Sequence, residues 1–203
     1  MDMHTYKVQP IAGNPDWDAI EKTELTHALW LPRPDGMRAF GQLCYNQDAL
    51  KVRLTAHEKN PLARSLGLTD YVHIDSALEF FFSPLPDDPR YFNFEFNLRG
   101  TIYLGFGFDR YRAARQLIPD YRSLFSVTPF QFDGGWGIDF VIPVSFIGIY
   151  LPSFKLEKGL VLRGNFYKCG EETEPPHYLA WNPVEWETPE FHRPECFGQF
   201  RLE

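Results

Sequence analysis

The sequence predicts an antiparallel β-sandwich of about nine or ten strands with one or two short helices. Three observations predict it. Aromatic residues make up 17% of the 203 positions, with 19 Phe, 10 Tyr and 5 Trp, and such side chains suit a pleated, half-buried surface. Apolar residues alternate with polar ones in several short runs, the period of a strand. Between the runs lie 17 Pro and 15 Gly, which punctuate the chain into many short elements.

Strands are predicted at 5–10 and 37–45, then at 49–55, where Leu50, Val52 and Leu54 share one face and Lys51, Arg53 and Thr55 the other. In 77–82, Leu78, Phe80 and Phe82 alternate with Glu79 and Phe81; in 91–97, Phe92, Phe94 and Phe96 alternate with Asn93, Glu95 and Asn97. Arg99-Gly100 interrupts, and Ile102, Leu104, Phe106 and Phe108 resume the pattern, which predicts a hairpin around 98–100. Residues 109–117 read as two helical turns stopped before Pro119. A second hairpin joins 125–132 to 136–142 around Asp133-Gly134-Gly135, whose glycines supply positive φ. A short helix is predicted over 143–151, and strands over 158–167 and 198–202. The proline-rich segments 83–90 and 174–194 read as loops. No repeat or linker divides the chain, so residues 1–203 are read as a single domain.

Net charge is −7, and the basic residues are spread thinly apart from Arg110, Arg112 and Arg115. That argues against nucleic acid as a partner. No stretch approaches the ~18 apolar residues of a membrane span. The start, Met1-Asp2-Met3-His4, lacks the features of a signal peptide. The compartment therefore stays open: extracellular if a leader has been removed, cytoplasmic if the chain is complete. Cys44, Cys169 and Cys196 favour free thiols, with one disulfide and a spare as the other case. The six histidines show no metal-binding spacing. Asp75, Asp87 and Asp88 offer oxygen ligands for a cation, although a solvated turn explains them better. With Met only at 1, 3 and 37, a methionine axial ligand for haem from a core strand is not available.

Two constellations carry chemistry. Glu79 and Glu95 are lone carboxylates on otherwise phenylalanine-rich, sequential strands. They read as a solvated sheet face, as ligand hydrogen-bonding groups, or as the acid–base pair of a glycosidase. The segment 177–197 gathers Tyr178, Trp181, Trp186, Phe191 and His192 into proline-punctuated sequence. Such rings either cap a core or offer platforms for the apolar face of a sugar beside polar groups for its hydroxyls.

The run Asp75-Ser76-Ala77-Leu78-Glu79-Phe80-Phe81, followed by the strand 91–97, resembles the central part of family 9 carbohydrate-binding modules. Trp181-Asn182-Pro183 and Phe191-His192-Arg193-Pro194-Glu195-Cys196-Phe197-Gly198 resemble that family's closing motif. Trp17, Cys44-Tyr45-Asn46 and Leu50-Lys51-Val52 fit its opening. The resemblance implies a DOMON-like sandwich of immunoglobulin type, often appended to xylanases, that grips the reducing-end sugar of glucans or xylans between two tryptophans. It also implies structural Ca2+ and association with a glycoside hydrolase. Carried over by position, the first stacking residue falls near His73 and the second at Phe191. The acidic contact falls on Glu79, an asparagine contact on Asn97 and an arginine contact close to Glu95, with Arg99 as a substitute donor. His, Phe and Glu in place of two Trp and an Arg leave the fold inference intact and open the question of ligand.

The leading expectation is non-catalytic binding of an oligo- or polysaccharide. Its site would comprise His73, Glu79, Glu95, Asn97, Arg99, Trp181, Trp186, Phe191 and His192. The alternatives are a glycoside hydrolase using Glu79 and Glu95, and a protein-interaction module that keeps only the fold.

Overall fold

A computed structural model of the chain describes residues 3–203; Met1 and Asp2, half of the segment compared with a signal peptide, lie outside the described residues. Among the described residues fourteen strands form two sheets that meet along one strand. In the first sheet the order is β1 (Thr5–Pro10), β14 (Gly198–Leu202), β12 (Val161–Gly170), β6 (Ala77–Ser83), β7 (Tyr91–Asn97), β8 (Ile102–Gly107) and β9 (Ala113–Arg115). β13 (His177–Ala180) pairs with β12 and carries β3 (His27–Ala28) on its other side. In the second sheet β1 is followed by β4 (Arg38–Tyr45), β5 (Ala49–His57), β11 (Gly135–Pro143) and β10 (Thr128–Phe132), with β2 (Thr23–Glu24) beside β4.

The sandwich is not purely antiparallel. Residues 5–8 of β1 run parallel to β14, and residues 9–10 run parallel to β4. Alternation has the same period in either orientation, so the sequence pattern carries no sign of this. The helix expected over 109–117 is also replaced. Asp109 Oδ1 accepts from the backbone N–H of Tyr111 at 2.9 Å and of Arg112 at 2.8 Å. That local turn reverses the chain and returns Ala113–Arg115 to β8 as β9. β13 falls within the segment read as loop. The first part of the strand expected over 125–132 gives way to the turn after α1 (Tyr121–Leu124). The helix expected over 143–151 is present as α2 (Val144–Tyr150), with Pro143 preceding it.

The main core lies between the sheets. Phe94 and Phe96 meet Phe140 at ring separations of 5.7 and 4.8 Å, and Phe80 packs on Phe166 at 5.1 Å. Gly41 of β4 faces Phe166 so closely that an added Cβ would overlap the ring. A buried ion network crosses the same space. Lys168 of β12 lies 3.3 Å from Glu58 Oε1 and 2.7 Å from His177 Nε2. Glu58 also accepts from Ser76 Oγ and Trp136 Nε1, each at 2.7 Å.

A second apolar cluster covers the outer face of the first sheet. It joins Leu29, Phe81, Tyr91, Tyr167, Val184, Phe191 and Phe197, with Trp30 and Tyr178 packed against it. β6 and β7 are therefore buried on both faces. The polar residues that alternate along them do not form a solvated sheet face.

Candidate functional site

Register places the site. Across the outer face of the first sheet, one row of directly opposed residues reads Tyr167, Glu79, Glu95, Tyr103. The next row reads Asn165, Phe81, Asn93, Gly105, Arg115. Glu79, Glu95, Tyr103, Phe81 and Asn93 of these rows form the floor of a cavity of about 370 Å³. Its walls come from loops: Trp30, Tyr71 and His73, Arg110 and Tyr111, Glu171, and Glu190 to His192, with Tyr178 from β13.

The floor is polar and buried. Glu79 and Glu95 are almost fully covered, and Asn93 is completely so. Directly opposed residues on adjacent strands have Cβ atoms about 5 Å apart, so two ionised carboxylates here would repel strongly. Burial first, and the neighbouring Glu95 second, push the Glu79 pKa well above the usual carboxylate range. Burial raises Glu95 to about 7, against the pull of the Asn93 amide that donates to its Oε1 at 2.8 Å. Both environments favour the protonated form, most strongly at Glu79, and Glu95 titrates near neutrality. Glu79 Oε1 and Asn93 Oδ1 are buried and find no protein partner. Each such atom costs about 1–3 kcal/mol unless something hydrogen-bonds to it. Beside Asn93 on β8, Gly105 has to be glycine, because a Cβ there would collide with Asn93 Oδ1.

Aromatic rings rise on both sides of the carboxyl pair. Phe191 stacks on Tyr167 with ring centroids 4.1 Å apart and planes 9° from parallel. Trp30 adds to this wall, 5.6 Å from Phe191. Trp30 has φ of 57°, a left-handed conformation that costs a bulky side chain about 1–3 kcal/mol. Its Nε1–H donates to the Trp186 carbonyl at 2.7 Å, which helps hold it in place. On the far side Tyr103 and Tyr71 stack at 6.2 Å, and the Arg115 guanidinium lies 4.2 Å from the Tyr103 ring centre. Strand spacing of about 4.8 Å puts roughly 14 Å of sheet between Tyr167 and Tyr103. That is room for a six-membered ring and its substituents. Tyr71 is 57% exposed and Tyr111 89%, so the rim is aromatic and open to water. His192 accepts from or donates to Tyr91 Oη at 2.7 Å, and burial with Arg110 nearby lowers its pKa to about 3, which keeps it neutral.

Of the nine residues expected from sequence, the structure brings five to this cavity: His73, Glu79, Glu95, Phe191 and His192. It does not bring the other four. Asn97 spends its amide on Ser65 and Asp75 and its carbonyl on the N–H groups of Arg99 and Thr101. Arg99 turns outward to the Ala63 carbonyl. Trp181 is buried in the main core against Phe200. Trp186 stands beside the site, its ring covered by Arg193 at 3.5 Å. Sequence reasoning does not select Asn93, although it alternates with Glu95 and Asn97. Trp30, Tyr71 and Tyr103 carry no local signal, since loop closure and sheet register alone bring them in.

A calcium ion does not fit the aspartates singled out in the sequence. Asp75 accepts from Arg64 N, Ser65 N and Asn97 Nδ2 at 2.8–3.0 Å, a donor set suited to an anion. Asp88 is tied to Arg90 at 2.6 Å, and Asp87 points to solvent. Among the described residues no group of three or more His, Cys, Asp and Glu gathers as metal ligands.

Comparison with solved structures gives three informative similarities. A candidate carbohydrate-binding protein from Bacteroides uniformis ATCC 8492 superposes with a TM-score of 0.85 at 25% identity, covering 100% of both chains. A family 9 carbohydrate-binding module from Caldicellulosiruptor kristjanssonii, solved with cellotriose, has a TM-score of 0.69 at 12% identity, covering 98% of this chain and 94% of that one. The same module with glucose gives 0.69 and 12%, covering 98% and 96%. At 12% identity the likeness is one of fold. A search of curated proteins finds no match. The sequence profile of carbohydrate-binding family 9 matches residues 16–202, nearly the whole sandwich with the cavity floor and its walls, and the chain belongs to that family.

Proposed function

We propose that this protein binds a sugar ring in the cavity over Glu79 and Glu95 and does no chemistry on it. The observation that carries the reading is the floor itself: buried, unpartnered oxygens of Glu79 and Asn93 between aromatic walls. A sugar ring offers C–H faces for Phe191, Trp30 and Tyr71 and hydroxyls for the floor. Family membership supports the same class of ligand, as do the cellotriose and glucose held by the structurally similar module. An end unit of a glucan or xylan suits a cavity that closes at the floor and opens at Tyr71 and Tyr111. The chain is read as one domain that acts alone or beside a glycoside hydrolase.

Geometry favours binding over hydrolysis. A glycosidase sets its two carboxyls on either side of the scissile bond. Glu79 and Glu95 stand side by side on one floor and approach a bound ring from the same direction. Concavity with a polar base likewise favours a sugar over a protein partner, which would call for a contiguous exposed apolar patch.

Calorimetric titration with glucose, cellobiose, xylobiose and a sugar reduced at its end tests the reading. Saturable binding is expected, weakened roughly two- to tenfold in Tyr71→Ala, as loss of one stacking face implies. Tyr71 is largely exposed, so that variant should stay folded. Phe191→Ala removes the opposite wall, and its folding is checked by circular dichroism. Absence of binding at millimolar sugar would sink the proposal.

A further inference from the structure

We infer that the preferred ligand carries a protonated primary amine, as a free amino sugar does, with the ammonium seated on Glu79, Glu95 and Asn93. The inference rests on the sugar-binding reading and narrows its ligand class.

The floor asks for donors and for positive charge. The amide N–H of Asn93 is already given to Glu95. On the carboxyl pair and Asn93 the atoms left without a partner are oxygens, Glu79 Oε1 and Asn93 Oδ1, while Arg115 Nε on the flanking strand is an unpartnered donor nearby. An ammonium group brings three N–H donors to one point, whereas a hydroxyl brings one. Two adjacent buried carboxyls cannot both ionise without a cation beside them, and the protein supplies one only at a remove. Burial outweighs Arg115 and Arg110, which draw the Glu95 pKa down, and Lys168, which draws down that of Glu79. Arg115 of β9 gives its terminal nitrogens to the Thr69 and Asp70 carbonyls. Arg110 stands at the rim, 3.8 Å from Glu190. Lys168 belongs to the opposite face of β12, bound to Glu58 and His177.

The remaining groups around the pair do not offset it. His73 is held below its ordinary pKa by burial and by Arg110, with Glu171 opposing from 3.8 Å. His192 is neutral. Glu171 and Glu190 add negative charge at the rim. The rings of Trp30, Phe81 and Phe191 line the same space, and an aromatic face attracts a cation more than it attracts a hydroxyl. Neutral sugars can still bind, because a protonated Glu79 can donate to a hydroxyl. An ammonium adds the positive charge that offsets both the burial and the mutual repulsion that keep the proton on the pair.

The test is calorimetry at about pH 6, below the Glu95 midpoint, with glucosamine and galactosamine against glucose, galactose and N-acetylglucosamine, each in two buffers of different ionisation enthalpy. The free amines should bind about tenfold or more tightly than the parent hexoses, since charge-assisted hydrogen bonds replace neutral ones. N-acetylglucosamine should show no such gain. Amine binding should release about one proton from the protein. In Glu79→Gln and Glu95→Gln the ratio of amine to hexose affinity should fall toward one. Glucose binding with no preference for either amine overturns this inference and leaves the sugar-binding reading standing. A preference that survives in both variants overturns the assignment to the carboxyl pair. Failure of every hexose and hexosamine to bind overturns both readings.

Discussion

Glu95 of β7 titrates near pH 7 because its strand is buried on both faces, and this links protonation to folding. Its folded pKa lies above that of an exposed carboxylate. The folded state therefore holds the proton more tightly, and stability falls as pH rises from about 4.5 through 7. Above that window the cost amounts to about 3 kcal/mol, since each tenfold gain in proton affinity is worth about 1.4 kcal/mol. Glu95→Gln should accordingly gain about that much over the parent at about pH 8 and nearly nothing at about pH 5, measured by denaturant unfolding at both values. A gain independent of pH would mean that the pair is not held as described. His177 and His192 act in the other direction. Their folded pKa values, about 4 and about 3, lie below the ordinary one, so their neutral burial loses stability as pH falls below about 6.5. Comparing variant with parent at each pH isolates the carboxyl from this background. Of these residues, Glu79 and Glu95 are legible in the sequence as lone acids in apolar strands. Their burial is not, because the loop bearing Phe191 that covers them lies roughly a hundred residues further along the chain.

At the scale of elements, β12 is the strand on which the most depends. One edge pairs with β6, and the other is shared end to end by β14 and β13. Lys168 within it is the hub of the network joining Glu58 and His177. Replacing one partner of a buried pair leaves the other charged and alone, so Lys168→Met should cost about 3–5 kcal/mol. Adding Glu58→Gln to it should recover part of that loss, read as a shift in the urea midpoint. Between the sheets, Gly41→Ala should cost about 1–3 kcal/mol, since its methyl must displace the Phe166 ring. Hairpin strands are legible in the sequence because alternation and glycine turns are local signals. β9 reads as helix there because Asp109 can open a turn as readily as a helix, and only pairing with β8 decides between them. β13 is hidden among prolines, its four residues held by long-range partners.

The whole molecule shows two apolar layers, one between the sheets and one under the loops that wall the cavity. A chelator should leave its melting temperature unchanged if the singled-out aspartates are the only candidate ligands, since Asp75 is committed to N–H donors and Asp88 to Arg90; a fall of several degrees would place a cation elsewhere. A sandwich can be read from composition and period, but not the strand that sews the sheets together, because β1 does so in parallel and its partners come from opposite ends of the sequence. Thr5 faces Gln199. During synthesis the first strand emerges from the ribosome almost two hundred residues before its mate. Until then the seam between the sheets stays open, and the floor strands exist beside a free edge. Pairing across such a separation is slow, so the cavity is among the last features to become competent. Nascent chains stalled short of β14 should remain protease-sensitive and unable to recognise any ligand, however complete their other thirteen strands.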